Sequence, residues 1–153
     1  MSPVSENSSP RGWHFDEIAQ GLVHHYGIAR LDAGDVALFH AHFAPNMPLH
    51  VEQAPDLERG PPAAQAHIYA LWTRMLWNET QNWPVLRRLG QDALRYFRTA
   101  HAGDILSVQM SFVGKDDLAH DRGLVIASHE IVDQRGALVM SVMTRTILAK
   151  SPK

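Results

Sequence analysis

Ten histidines in a chain of 153 residues are the first chemistry-bearing feature. A histidine near its ordinary pKa is the side chain best suited to move protons at neutral pH. Several stand in pairs, and the spacing says what those pairs do not do. His24 and His25 are adjacent in a segment that reads as a strand, so they point to opposite faces. His40 and His42 are two apart on a helical segment and diverge by about 200°. Neither pair chelates a metal, and no His-Glu-x-x-His spacing is present. There are no cysteines, which excludes disulfides, thiolate nucleophiles and cysteine-based zinc sites. No metal and no cofactor is expected. Two histidines stand apart. His50 closes the constrained turn Pro45–Val51. His67 sits just after Pro61 and Pro62, which suit a first helical turn and bar its extension backwards. The helix is expected to start at about Ala63. Its first free N–H groups then belong to residues near His67 or a little earlier, a place for anions or polarised carbonyls.

That helix, Ala63–Trp77, is the element around which the rest is organised. Ala64, Ile68, Leu71 and Met75 recur at helical spacing, and Tyr69, Trp72, Leu76 and Trp77 widen the apolar surface. A helix this apolar must be wrapped. The wrapping comes from the second half of the chain, where the pattern changes to period two. Leu106, Val108, Met110 and Phe112 alternate with polar residues, Gly123–Val132 is a further strand, Asp133–Gly136 a hairpin turn and Ala137–Ala149 the last strand. A strand also starts at Asp92, and His101–Asp104 is a turn. Trp83–Leu89 reads as a short helical or irregular piece, and Gly114–Arg122 as a polar connection whose Asp116, Asp117 and Asp121 are solvated.

Before the central helix, Leu22–Arg30 reads as a strand with an irregularity at Gly27. Asp32 caps a helix with Asp35 in its first turn, an apolar stripe of Val36, Phe39, Ala41 and Phe43, and an end forced near Ala44 by Pro45. This order predicts an α+β fold, a curved antiparallel sheet wrapped around one long central helix.

Bulk properties narrow the function. Lys and Arg total 14 and Asp and Glu 16, a net charge of −2 with no basic run, which argues against a nucleic-acid partner. No apolar run approaches the ~18 residues of a membrane span. The Ser-, Pro- and Asn-rich start lacks a signal pattern. A cytoplasmic protein is expected, with a disordered tail over 1–12 and one domain over 13–150.

The order of elements, with four particular pieces, resembles the hot-dog fold and, within it, the MaoC-like hydratase/dehydratase family. Val36–Val51, ending in Pro48-Leu49-His50, is similar to the helix and active-site loop of that family. Ala66-His67 is similar to its Ala-His-Gly turn. Arg95–Leu106 resembles the strand and turn before its long strands, and Asp133–Gly136 its final hairpin. The resemblance covers roughly Trp13 to Leu148. It implies an acyl thioester of coenzyme A or acyl carrier protein as ligand, addition or removal of water at the neighbouring double bond, and a homodimer closed along exposed sheet edges.

The same resemblance implies the site. His50 takes the position of the catalytic histidine, and Asn46 can position a water. His67, Ile68, Pro48 and Leu49 are expected against the substrate. Three positions depart from the pattern. Pro45 stands in place of the family's Asp, Met47 in place of an Asn and Ile68 in place of a Gly. Losing a positioned acid or base costs typically ~10²–10⁴-fold in rate, so His42, Glu52 and Asp56 are candidate replacements. Arg95 and Arg98 are candidates for a coenzyme A phosphate. Two other functions fit the fold: an acyl-thioester binding or partner subunit without activity, or a thioesterase, for which Glu58 is the nearest acid before the helix.

Overall fold

Alternating side chains build the sheet. On β3 (Ile105–Ala119), Leu106, Val108, Met110 and Phe112 are buried while Ser107, Gln109 and Ser111 lie on the opposite, partly exposed face. β4 (Arg122–Val132) and β5 (Leu138–Ala149) repeat this with Val125, Ala127, His129 and Ile131, and with Val142, Thr144 and Leu148. β1 (Val23–Arg30) and β2 (Val85–Tyr96) form the two edges, so the order across the five-stranded antiparallel sheet is β1-β3-β4-β5-β2. The computed structural model describes residues 12–46 and 59–152. All but one residue of the expected tail therefore lies outside the described residues.

One face of this sheet packs on a single helix, α2 (Gln65–Thr80). Ile68, Leu71, Trp72, Met75 and Leu76 are buried against it. Each such side chain contributes roughly 1.5–3 kcal/mol when fully withdrawn from water. The rest of the helix is less covered than its composition suggests. Ala70 is exposed and Trp77 is 61% exposed, with the Arg88 guanidinium 5.6 Å from its ring centre.

Polar groups inside this core are paired. The Trp72 indole N–H donates to the Tyr26 hydroxyl at 3.1 Å, and that hydroxyl lies 2.8 Å from His129 Nδ1. His129 Nε2 is 2.8 Å from the Thr144 hydroxyl. Burial drives His129 down to about 3 and pushes Tyr26 far above its ordinary value, so both are neutral. A neutral imidazole donates from one ring nitrogen and accepts at the other, so it links the two hydroxyls in a single chain of hydrogen bonds.

Two sequence expectations are corrected. Trp83–Leu89 is not helical: the chain turns at Trp83, and β2 begins at Val85, pairing with Leu148. Three register shifts along β2, with Gly90 at φ 137° and Ala93 at φ 53°, break its period-two pattern. Gly114–Arg122 is not a plain connection either. β3 runs on past a shift at Phe112/Gly114 to Ala119, paired with β4 as far as Ala119–Arg122. Backbone pairing sustains this extension, whose side chains carry no alternation, helped by Lys115 Nζ donating to Ile18 O at 2.5 Å and Lys150 Nζ pairing with Asp117 at 2.8 Å.

α1 (Ala33–Phe43) starts as expected, with the Asp32 carboxylate accepting from the Asp35 N–H at 3.0 Å. Its apolar stripe does not enter the core. Only Val36 is buried, while Leu38 is 59% and Phe43 73% exposed.

Candidate functional site

The unburied stripe of α1 faces the first two turns of α2, and a groove of about 350 Å³ runs between them. α1 contributes Asp35, Leu38, Phe39, His42 and Phe43, the i, i+3, i+4, i+7, i+8 set of one face. α2 contributes His67, Ala70, Leu71 and Arg74 by the same spacing. A second interior space, of about 30 Å³ beside Thr80, His129 and Thr144, has room for a water or two but not for an acyl group.

The start of α2 is held by backbone and by charge. Ala63 N–H donates to Ala100 O and Ala102 N–H to Pro61 O, each at 2.8 Å. The close approach needs Gly60, since a Cβ there would lie 2.5 Å from the Ala102 carbonyl oxygen. Beside this ladder the Arg59 guanidinium pairs with Asp104, which is 4% exposed. Asp104 also accepts from the His101 N–H at 2.9 Å and from the Gln134 amide at 3.2 Å. The turn His101–Asp104 is thus the anchor of the helix start.

Ala64 is the N-cap and offers no side-chain acceptor. His67 N–H and Ile68 N–H both turn to Ala64 O, at 3.0 and 3.4 Å. That leaves the N–H groups of Gln65 and Ala66 without an acceptor among the described residues. These, slightly earlier than His67, are the free donors of the helix start.

His67 is 7% exposed, and its Nδ1 is buried without a hydrogen-bond partner among the described residues. Its ring stacks on Phe39, which fixes the plane. Burial lowers its pKa; the Asp35 charge opposes this and Arg74 reinforces it. The imidazole is therefore neutral at neutral pH, able to donate from one nitrogen and accept at the other.

The groove gathers His42 and His67, which the sequence reading singled out, with Asp35 and Arg74, which it did not assign to the site. Ile68 is 2% exposed and sits in the core rather than on the groove wall. Asn46 is exposed, just past the end of α1 at Ala44. His50, Pro48 and Leu49 lie outside the described residues, as do Met47, Glu52, Asp56 and Glu58. Arg95 and Arg98 are exposed and not among the residues lining the groove. Among the described residues no group of His, Asp and Glu side chains could hold a metal ion, and no helix is long and apolar enough to cross a membrane.

No family model and no curated protein matches the sequence. Solved structures do match the fold. A Mycobacterium tuberculosis protein described as a double hot-dog fold superposes with a TM-score of 0.73 at 23% identity, over 95% of this chain and 46% of that one. The chain has the hot-dog fold. It spans about half of that double protein, but all of a MaoC-like dehydratase from Rhodospirillum rubrum: TM-score 0.74, 23% identity, 93% of this chain and 100% of that one. The monoamine oxidase regulatory protein from Archaeoglobus fulgidus is similar over 92% of this chain and 96% of its own, at 21% identity and a TM-score of 0.72. An (R)-hydratase from Pseudomonas aeruginosa shares the hot-dog fold at 23% identity and a TM-score of 0.63, over 91% and 86% of the two chains.

Proposed function

We propose that this hot-dog protein is a hydratase/dehydratase of the MaoC-like kind, acting on enoyl and hydroxyacyl thioesters of coenzyme A or acyl carrier protein. The observation that carries the reading is the neutral, buried imidazole of His67 on the wall of the groove, directly after Gln65 and Ala66, whose backbone N–H groups have no acceptor among the described residues. The thioester carbonyl accepts from the Gln65 and Ala66 amides, where negative charge develops as water adds to the double bond. His50 takes the proton from the attacking water and returns one to the carbon next to the carbonyl. Asn46 orients that water. His67, Pro48, Leu49 and Ile68 position the acyl group, His67 by hydrogen bonding and Ile68 by packing from the core behind the helix start. His42, at the end of α1, is the candidate proton acceptor in place of the side chain that Pro45 lacks.

The protein acts as a cytoplasmic homodimer in this reading, joined along β2. That edge strand and the residue after it leave Leu86, Leu89, Leu94 and Phe97 between 43% and 48% exposed, a surface that pairing would cover.

Pro45 favours one second reading, a binding or partner subunit without its own activity. Incubation of the pure protein with short- and medium-chain enoyl-CoA separates the two. Loss of the conjugated double bond that disappears in His50→Ala supports the hydratase. Release of free thiol instead identifies a thioesterase. No change in either signal across substrates leaves the partner subunit as the reading.

A further inference from the structure

Arg74 stands two helical turns beyond His67 on the same face of α2, about 10 Å along the axis, and both line the groove. Ala70 and Leu71 lie between them and give the floor a small and an apolar side chain. Among the described residues no carboxylate pairs with Arg74. Among the described residues Asp35 is the one acid lining the groove, and it sits in the first turn of α1, where the helix's own positive end favours its charge. The groove therefore has a hydrogen-bonding end at His67, an apolar middle and a cation with an open fork of donors at the far end. A purely aliphatic chain has no use for that cation. An anionic oxygen group has, because the guanidinium offers parallel N–H donors in the geometry of a carboxylate or phosphate.

We propose that Arg74 is a specificity-determining residue that binds an anionic oxygen group on the ligand, and that this group is a carboxylate at the far end of the acyl chain. The substrate class is then the ω-carboxyacyl thioesters rather than simple fatty acyl thioesters. This rests on the groove being the acyl-thioester site. With the thioester carbonyl at the start of α2, a chain of medium length lying over Ala70 and Leu71 brings its end to the guanidinium.

The test is calorimetric binding of octanoyl-CoA, suberoyl-CoA and free coenzyme A to the wild type, Arg74→Gln and Arg74→Lys. The two thioesters differ only in the terminal carboxylate, and both are saturated, so hydration does not interfere. The wild type should prefer suberoyl-CoA. Arg74→Gln should weaken suberoyl-CoA about tenfold to a hundredfold and leave octanoyl-CoA unchanged. Arg74→Lys should keep part of the preference, as a charge without the fork. Equal binding of the two thioesters to the wild type, or a preference that survives in Arg74→Gln, overturns the proposal. An equal loss for both thioesters and for free coenzyme A assigns Arg74 to a carrier phosphate and overturns the carboxylate. Failure of both thioesters to bind the wild type overturns the acyl-thioester reading itself, and this one with it.

Discussion

The imidazole of His67 lies flat against the ring of Phe39, with ring centres 4.8 Å apart and planes 8° from parallel. This contact joins the middle of α1 to the first turn of α2 and sets the orientation of a side chain whose Nδ1 has no hydrogen bond among the described residues. The stack also keeps water from one face of the imidazole, and burial is the main reason its pKa is low. Phe39→Ala should admit water and raise the His67 pKa toward that of a free histidine. An NMR titration of the His67 ring protons reads this directly, and an unmoved pKa would show that the stack is not what dries the site.

The buried chain Trp72–Tyr26–His129–Thr144 predicts loss of stability in acid. His129 titrates at about 3 in the folded protein against about 6.5 when unfolded. Above the unfolded value neither state is protonated there, and the group contributes no pH dependence. As pH falls below it the unfolded state takes up the proton first, so stability should drop by about 1.4 kcal/mol per pH unit until the folded value is reached. Urea titrations at pH 7, 6 and 5 should show this slope in the wild type and a shallower one in His129→Gln, once the common carboxylate contribution is subtracted.

Asp104 holds the start of α2 through Arg59, His101 N–H and the Gln134 amide. Asp104→Ala leaves three donors without their acceptor, one of them a half-buried guanidinium, and should cost about 3–5 kcal/mol. Hydrogen exchange should speed up at Ala63 and Ala102 before the rest of the sheet responds. A uniform increase across all strands would instead mean that the turn has no special hold on the helix.

Gly27 and Gly21 both have positive φ, 73° and 89°. A Cβ at Gly27 would come within 2.8 Å of Met75 Sδ and 3.0 Å of its Cβ, whereas nothing lies within 4 Å of one at Gly21. Both alanine variants should lose roughly 1–2 kcal/mol to backbone strain, and Gly27→Ala should lose more because it pushes α2 off β1. Thermal unfolding of the two variants measures the difference, and equal losses would mean that Met75 yields without effect.

The β2 edge should decide the oligomeric state proposed above. Leu89→Asp places a charge at its centre and should shift a dimer to monomer in analytical ultracentrifugation. A wild type that is already monomeric would remove the edge as an interface.

Much of this architecture was legible because burial repeats locally. Ile68, Leu71, Trp72 and Met75 mark one helix face, and Leu106 to Phe112 one strand face, by spacing alone. The Asp32 cap and the Asp133 hairpin are equally local, the latter with Asp133 Oδ1 accepting from Arg135 and Ala137 N–H. β2 escaped because its three register shifts scramble the parity that identifies a strand. α1 was recognised as a helix with an apolar stripe, but what that stripe meets was not legible. Spacing shows that Asp35, Leu38, Phe39, His42 and Phe43 share a face and that His67 and Arg74 share another; it does not show what either face meets.

The amino-acid sequence by itself determined both helices and the regularly alternating strands, but not the first half of β2 or the far end of β3, since hydrogen bonding along a helix and side-chain alternation along a strand depend on near neighbours. Tertiary structure decided which apolar stripe lines a groove and which is buried. It also decided that Asp104 reaches back to Arg59 and that His129 is silenced by Tyr26 and Thr144. Those contacts join residues far apart in the chain, and their energies depend on burial and distance, which exist only once the sheet has closed over α2.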